Sequence, residues 1–194
     1  MCFHQIIRTA DGKILAIAEQ YRKQASAGGI ALNVAAGALG GRTDASTLEI
    51  KIGDMVVIVI DSSLKVEEVK IIKKNANHIL LDKGYAYTSQ HLLARIIKSR
   101  GGFDYYFTQN DSNYANITFG YIDREKTEGK KGKSDVFNAI NYTSAGSTFS
   151  SDKINLKTKA SDIMIGPAKP GNILVYEYFK KEKRISIRLE PINF

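Results

Sequence analysis

Three histidines (His4, His78 and His91), one cysteine (Cys2) and a few serine–lysine and glycine–lysine pairs are the residues of this 194-residue chain whose types could do chemistry. The histidines lie far apart and form neither an HExxH pair nor another local metal-ligand spacing, so ordinary surface or core histidines are expected. Cys2 has only His4 nearby as an activating base, and a thiolate nucleophile needs fixed geometry that a terminus rarely supplies. A single cysteine also permits no internal disulfide and no Cys-rich zinc site. Gly132-Lys133-Ser134 matches the end of a phosphate-binding P-loop, but Thr127 stands where the earlier glycine belongs. Ser62-Ser63-Leu64-Lys65 and Ser150-Ser151-Asp152-Lys153 both read Ser-x-x-Lys, a motif that needs a helix to bring serine and lysine together. Both fall at expected β-turns and lack companion motifs. No catalytic, cofactor-binding or metal-binding residue is therefore assigned, no ligand-binding residue is identified, and the chain reads as a non-enzyme.

Two groupings carry more. Phe103, Tyr105, Tyr106, Phe107, Tyr114, Phe119 and Tyr121 form an aromatic concentration. In a strand, Phe103, Tyr105 and Phe107 share one face while Tyr106 points the other way, so a core row and a ligand-facing ring are both available. Asp104 and Asp123 could pair as general acid and base, though nothing in the sequence sets their separation.

The elements that must position these residues are mostly strands. Residues 4–9 and 13–21 flank Asp11-Gly12, a hairpin signal, and Ile14–Ala18 is apolar on both faces, as in a strand covered on both sides. Further strands are expected over 47–52, 54–60, 65–73, 103–108, 117–123, 136–143, 153–157, 172–179 and 184–190, the last two enclosing Lys180-Lys-Glu-Lys183. Ser89–Arg100 has a capping serine, apolar Leu92, Leu93, Ile96 and Ile97, and a following Gly101, the pattern of a short helix. Residues 25–41, with six alanines and five glycines, read as an insertion or short helix, with membrane or partner contact as the sharper reading.

Composition bounds the class. An apolar fraction of 43%, a charged fraction of 25% and three prolines exclude collagen-like and disordered chains. No apolar run of about 20 residues suggests a transmembrane helix. The net charge of +8 divides as +5 over residues 1–100 and +3 over 101–194, so no basic tail emerges. The densest lysine run, in residues 126–135, is interspersed with glycine and acid and reads as a solvated basic loop, which disfavours nucleic acid as a partner.

Aligning Gly12, Gly101 and Gly171 brings Ile6–Tyr21, Arg95–Asn110 and Ile165–Lys180 into register as a faint repeat. The expected fold is mainly β: residues 1–194 form one β-rich unit of about two to three blade-like repeats, an incomplete propeller-like array of antiparallel meanders with one or two short helices. A self-contained β-sandwich is the alternative.

The stretches Asp11-Gly-Lys-Ile-Leu-Ala-Ile-Ala-Glu-Gln-Tyr21, Gly102-Phe-Asp-Tyr-Tyr-Phe-Thr-Gln109 and Pro170-Gly-Asn-Ile-Leu-Val-Tyr-Glu-Tyr-Phe-Lys-Lys-Glu-Lys183 resemble the C-terminal portion of an uncharacterised family of exported, β-rich, propeller-like bacterial proteins. The resemblance implies a longer precursor and an envelope or extracellular setting. It carries over no functional residue. The expected function is a non-enzymatic β-sheet interaction or ligand-recognition module, with protein, glycan or self-association through blade edges as the partner classes. Carbohydrate binding or processing is the alternative, and basic nucleic-acid binding the second.

Overall fold

In the computed structural model, residues 1–43, 45–126, 133–155 and 158–193 are described. The strands are β1 (Cys2–Arg8), β2 (Ile14–Ala25), β3 (Leu48–Ile60), β4 (Val66–Ile72), β5 (Asn77–Leu80), β6 (Tyr105–Asn110), β7 (Asn116–Lys126), β8 (Lys133–Thr143), β9 (Thr148–Asn155), β10 (Asp162–Pro167), β11 (Asn172–Phe179) and β12 (Arg184–Pro191). Among the described residues two α-helices accompany them, α1 (Ala27–Ala38) and α2 (Gln90–Ser99). The protein is mainly β with antiparallel sheets, as its sequence predicts.

The described residues form three sheets, each from strands consecutive in the chain: β1-β2-β3-β4 with β5 also on β3, β6-β7-β8-β9, and β10-β11-β12. Local turn chemistry explains the meanders. At the first hairpin the Thr9 amide donates to the Lys13 carbonyl at 2.9 Å, and Gly12 takes a φ of +83° that residues with a Cβ rarely adopt. At the β3–β4 turn the Asp61 carboxylate accepts from the amides of Ser63 and Lys65 at 2.8 and 2.9 Å, an Asx-type closure.

Gly12, Gly101 and Gly171 all have positive φ. The elements before them differ: β1 and β10 precede Gly12 and Gly171, whereas α2 precedes Gly101. The three aligned stretches therefore do not share one order of elements. Ser89 caps α2 by accepting from the Leu92 amide at 3.3 Å, and Leu93, Ala94 and Ile97 form its buried stripe.

Within residues 25–41 the chain folds as α1, capped by the Ser26 side chain accepting from the Gly29 amide. Gly29 alone in this helix is buried, while Ile30, Leu32 and Val34 are exposed. Of the basic stretch 126–135, residues 127–132 lie outside the described residues, as do Leu156 and Lys157 of the strand expected over 153–157.

The fold resolves into two compact units. One comprises Met1–His4, Ile17–Val57 and Lys70–Asp104; the other comprises Gln5–Ala16, Ile58–Val69 and Tyr105–Phe194. Ile50, Ile52, Leu81, Leu93, Ala94, Ile97 and Phe103 form a core cluster in the first. In the second, Phe107, Phe137, Ala139, Ile165, Ile173, Val175 and Ile192 do so, with the Phe107 and Phe137 rings stacked at 5.7 Å.

Candidate functional site

Four ionisable side chains meet inside the first unit. Ile52 of β3 pairs with Asn77 of β5, while Asp54, two residues on, accepts from the Lys74 amide at 3.4 Å and from Lys73 Nζ at 2.7 Å. Residues 73–76 thus bulge out between β4 and β5, and the bulge turns the Lys74 side chain fully inward. Its ammonium meets Asp104, just ahead of β6, and Glu19 of β2 at 3.3 Å. Glu19 in turn meets His4 Nε2 of β1 at 3.0 Å, and its side chain is wholly buried. Asn77 donates to Asp104 at 2.8 Å, and the His4 ring stands edge-on to Phe103 at 5.2 Å.

Burial raises the Asp104 carboxyl above the ordinary carboxylate range, opposed by the nearby Lys74 ammonium and further raised by Glu19. Chemically it is a buried ionic cluster that ties β1, β2 and the 73–76 bulge to Asp104, and perturbed carboxyls of this kind also occur at functional sites.

The residues singled out in the sequence are dispersed. Asp104 and Asp123 are both buried but belong to different compact units, and Asp104 is engaged by Lys74 and Asn77. His78 pairs with Glu49 at 2.8 Å, and His91 is exposed on α2. Burial pushes the Cys2 thiol up, which disfavours the thiolate a nucleophile needs. Ser62–Lys65 lies at the β3–β4 turn and Ser150–Lys153 within β9, so neither Ser-x-x-Lys sits on a helix. Among the described residues no group of three or more His, Cys, Asp or Glu could hold a metal ion. Within β6 Phe107 is buried and Tyr106 exposed, but Phe103 lies ahead of the strand in the core of the first unit, while Phe107 belongs to the core of the second. Asp104 is buried beside Phe103, so Phe103, Tyr105 and Phe107 do not form one alternating row, and the β6–β7 register also shifts between Tyr105 and Phe107.

A second feature lies on the C-terminal sheet. Its register places Met164, Tyr176 and Ile187 in one row, Tyr178 beside Ile185, and Leu174 beside Leu189. The alternate positions Ile165, Ile173 and Val175 fill the core, so this other face is open. Met164, Tyr176, Tyr178, Ile185, Ile187 and Leu189 are between 38% and 66% exposed.

A family of unknown function, DUF6770, matches residues 1–193. The chain belongs to that family. No curated protein and no solved structure matches it. No helix among the described residues is long and apolar enough to cross a membrane.

For this DUF6770 member the raised Asp104 carboxyl sets a sign for stability against pH. The folded state holds a proton that the unfolded chain releases near the ordinary value of about 3.9. The stability from this group is therefore fully present below that value and is lost as pH rises through the native one. Urea midpoints measured at successive pH values should fall for the wild type relative to Asp104→Asn across that window. A wild-type midpoint rising relative to the variant would contradict the assignment.

Proposed function

We propose that this chain is a non-enzymatic interaction module of an exported, blade-like β protein. It works by stacking the open face of its C-terminal sheet against the same face of a second copy. The observation that supports this reading is the apolar row Met164-Tyr176-Ile187 with Tyr178, Ile185 and Leu189, left uncovered on a sheet whose other face is core. These side chains expose several hundred Å², the scale (about 300–600 Å²) at which an open patch on a monomer is often functional.

A second copy suits the face because the central rows carry no charge, Asp162 lying at one corner, so a two-fold pairing buries apolar against apolar with no unpaired ion. Three strands about 4.8 Å apart and eight residues at about 3.3 Å each give a face on the order of 15 by 26 Å. With its rim, that approaches the roughly 800 Å² per partner of a standard interface. Face-to-face sheets about 10 Å apart are the packing of sandwiches and of propeller blades alike, and the three sequence-consecutive sheets support the blade-like reading. The exported setting is supported by the resemblance of the Asp11–Tyr21, Gly102–Gln109 and Pro170–Lys183 stretches.

Sedimentation of the full chain tests the proposal. A mass of twice 21.5 kDa is expected. The dimer should strengthen with salt, because both copies carry +8. Ile187→Lys, at an exposed position, should keep the far-UV spectrum and weaken dimerisation by about tenfold or more. A wild-type monomer at high concentration, or a variant as dimeric as the wild type, would overturn it.

Glycan recognition is the second reading, favoured by half-exposed Tyr114 in a cleft of about 530 Å³ that Thr108 and Asn110 also line. A bound oligosaccharide with no change in mass would put it first.

A further inference from the structure

The outer face of the first unit carries an unbalanced charge row. Three contacts fix the β2–β3 register there. The Ser26 amide donates to the Thr47 carbonyl at 2.8 Å, Gln24 Nε2 donates to Glu49 at 2.6 Å, and a Cβ on Gly53 would lie 3.6 Å from the Cβ of Gln20. All three pairs fall in one antiparallel register, in which Arg22 stands directly opposite Lys51 between the Gln24–Glu49 and Gln20–Gly53 pairs. Lys51 is in turn opposite His78 of β5. Ile50 and Ile52 point into the core, which places Glu49, Lys51 and Gly53 on the outer face with Gln20, Arg22 and Gln24.

Like charges directly opposite on neighbouring strands repel. Among the described residues neither Arg22 nor Lys51 has a carboxylate within ion-pair distance. The two nearest candidates are occupied: Glu49 accepts from Gln24 and meets His78, and Asp54 meets Lys73 and the Lys74 amide. Beside this pair Gly53 leaves a notch where a side chain would otherwise fill the surface. The resulting cleft, of about 570 Å³, is lined by Gln20, Tyr21, Arg22, Lys51, Gly53 and Asp54, among others. Its size matches small-molecule sites, which run about 300–1,000 Å³.

We propose that this cleft binds a small molecule through a doubly charged tetrahedral oxyanion seated between Arg22 and Lys51. The guanidinium supplies a two-pronged donor, the ammonium a point charge, and the dianion removes the repulsion between them. Gln20 lies one rung away as a neutral donor for the rest of the molecule. A phosphate monoester supplies this dianion once it gains its second charge near pH 6, whereas a sulfate ester stays singly charged and does not. The site lies wholly in the first unit and stands independently of the C-terminal face.

Titration calorimetry of the full chain with inorganic phosphate, pyrophosphate and inorganic sulfate at low ionic strength is the test. Saturable binding of phosphate and pyrophosphate is expected, weakening about tenfold or more in Arg22→Gln and in Lys51→Gln and unchanged in Lys181→Gln. Phosphate binding should strengthen between pH 5 and 8 as the second charge appears, while inorganic sulfate, a dianion throughout, should bind without that dependence; phosphate binding that fails to strengthen over this range would overturn the dianion assignment. Thermal unfolding supplies a second readout. Without ligand, Arg22→Gln should melt no lower than the wild type, since it removes a repulsion, and phosphate should raise the wild-type midpoint but not the variant's. No saturable heat up to about 10 mM, or an equal loss in Lys181→Gln, would overturn the proposal.

Discussion

Lys74→Met is expected to destabilise the protein by about 3–5 kcal/mol, the usual cost of removing one partner from a buried ion pair. The lysine side chain is fully buried and so is Glu19, while Asp104 is 7% exposed. Methionine fills much the same volume, so the loss comes from two buried carboxylates left without their cation rather than from a cavity. Two consequences separate this from a packing defect. Stability of the variant should recover toward low pH as the carboxyls take up protons. The triple variant Lys74→Met, Glu19→Gln, Asp104→Asn should regain most of the loss, since replacing a whole buried ionic group is often neutral or stabilising. Denaturant midpoints at pH 7 and pH 4.5 for the three proteins decide it; equal losses in the single and triple variants would mean that the network contributes nothing as a unit.

Phe137→Ala should cost about 3–5 kcal/mol by opening a cavity in the core of the second unit. Its ring is fully buried and lies over Gly120: a Cβ on Gly120 would come within 2.2 Å of the ring's far carbon. The glycine is thus the floor on which the ring sits, and Gly120→Ala should cost about 1–3 kcal/mol through overpacking. The double variant should lose markedly less than the two singles together, because the alanine methyl enters space the ring has left. Strict additivity would show that ring and glycine are not coupled.

Much of the fold was legible because its cues are local. Asp11-Gly12, Lys180–Lys183 and the pairing of Ser89 with Gly101 act through φ preference and capping, and the structure places two hairpins and α2 at those positions. Gly53 misled for an equally physical reason: glycine tends to interrupt strands, yet β3 runs unbroken from Leu48 to Ile60, with Gln20 packed beside it. The strands Asn77–Leu80 and Asp162–Pro167 escaped notice because one is only four residues long and the other ends in Gly166-Pro167.

The buried network was barely legible. Glu19 and Lys74 carry no motif, His4 suggests only a base for Cys2, and only three-dimensional pairing across β1, β2, the 73–76 bulge and the residue ahead of β6 joins these three to Asp104. Asp104 drew attention for a pairing with Asp123, whereas its partners are Lys74 and Asn77. One signal was present: Glu19 directly follows Ile14–Ala18, a run apolar on both faces, and a charge placed there must be buried with a partner. The Arg22–Lys51 row needed the strand register, which composition does not supply.

Each sheet draws its strands from one continuous stretch of chain, 2–80, 105–155 or 162–191. Loop closure between neighbouring strands therefore spans short separations, which lowers the contact order and favours fast pairing. On a ribosome the β1–β5 sheet has all of its strands before β6 is synthesised. His4, Glu19 and Lys74 can then assemble early, and Asp104 arrives as the last charge to close the cluster.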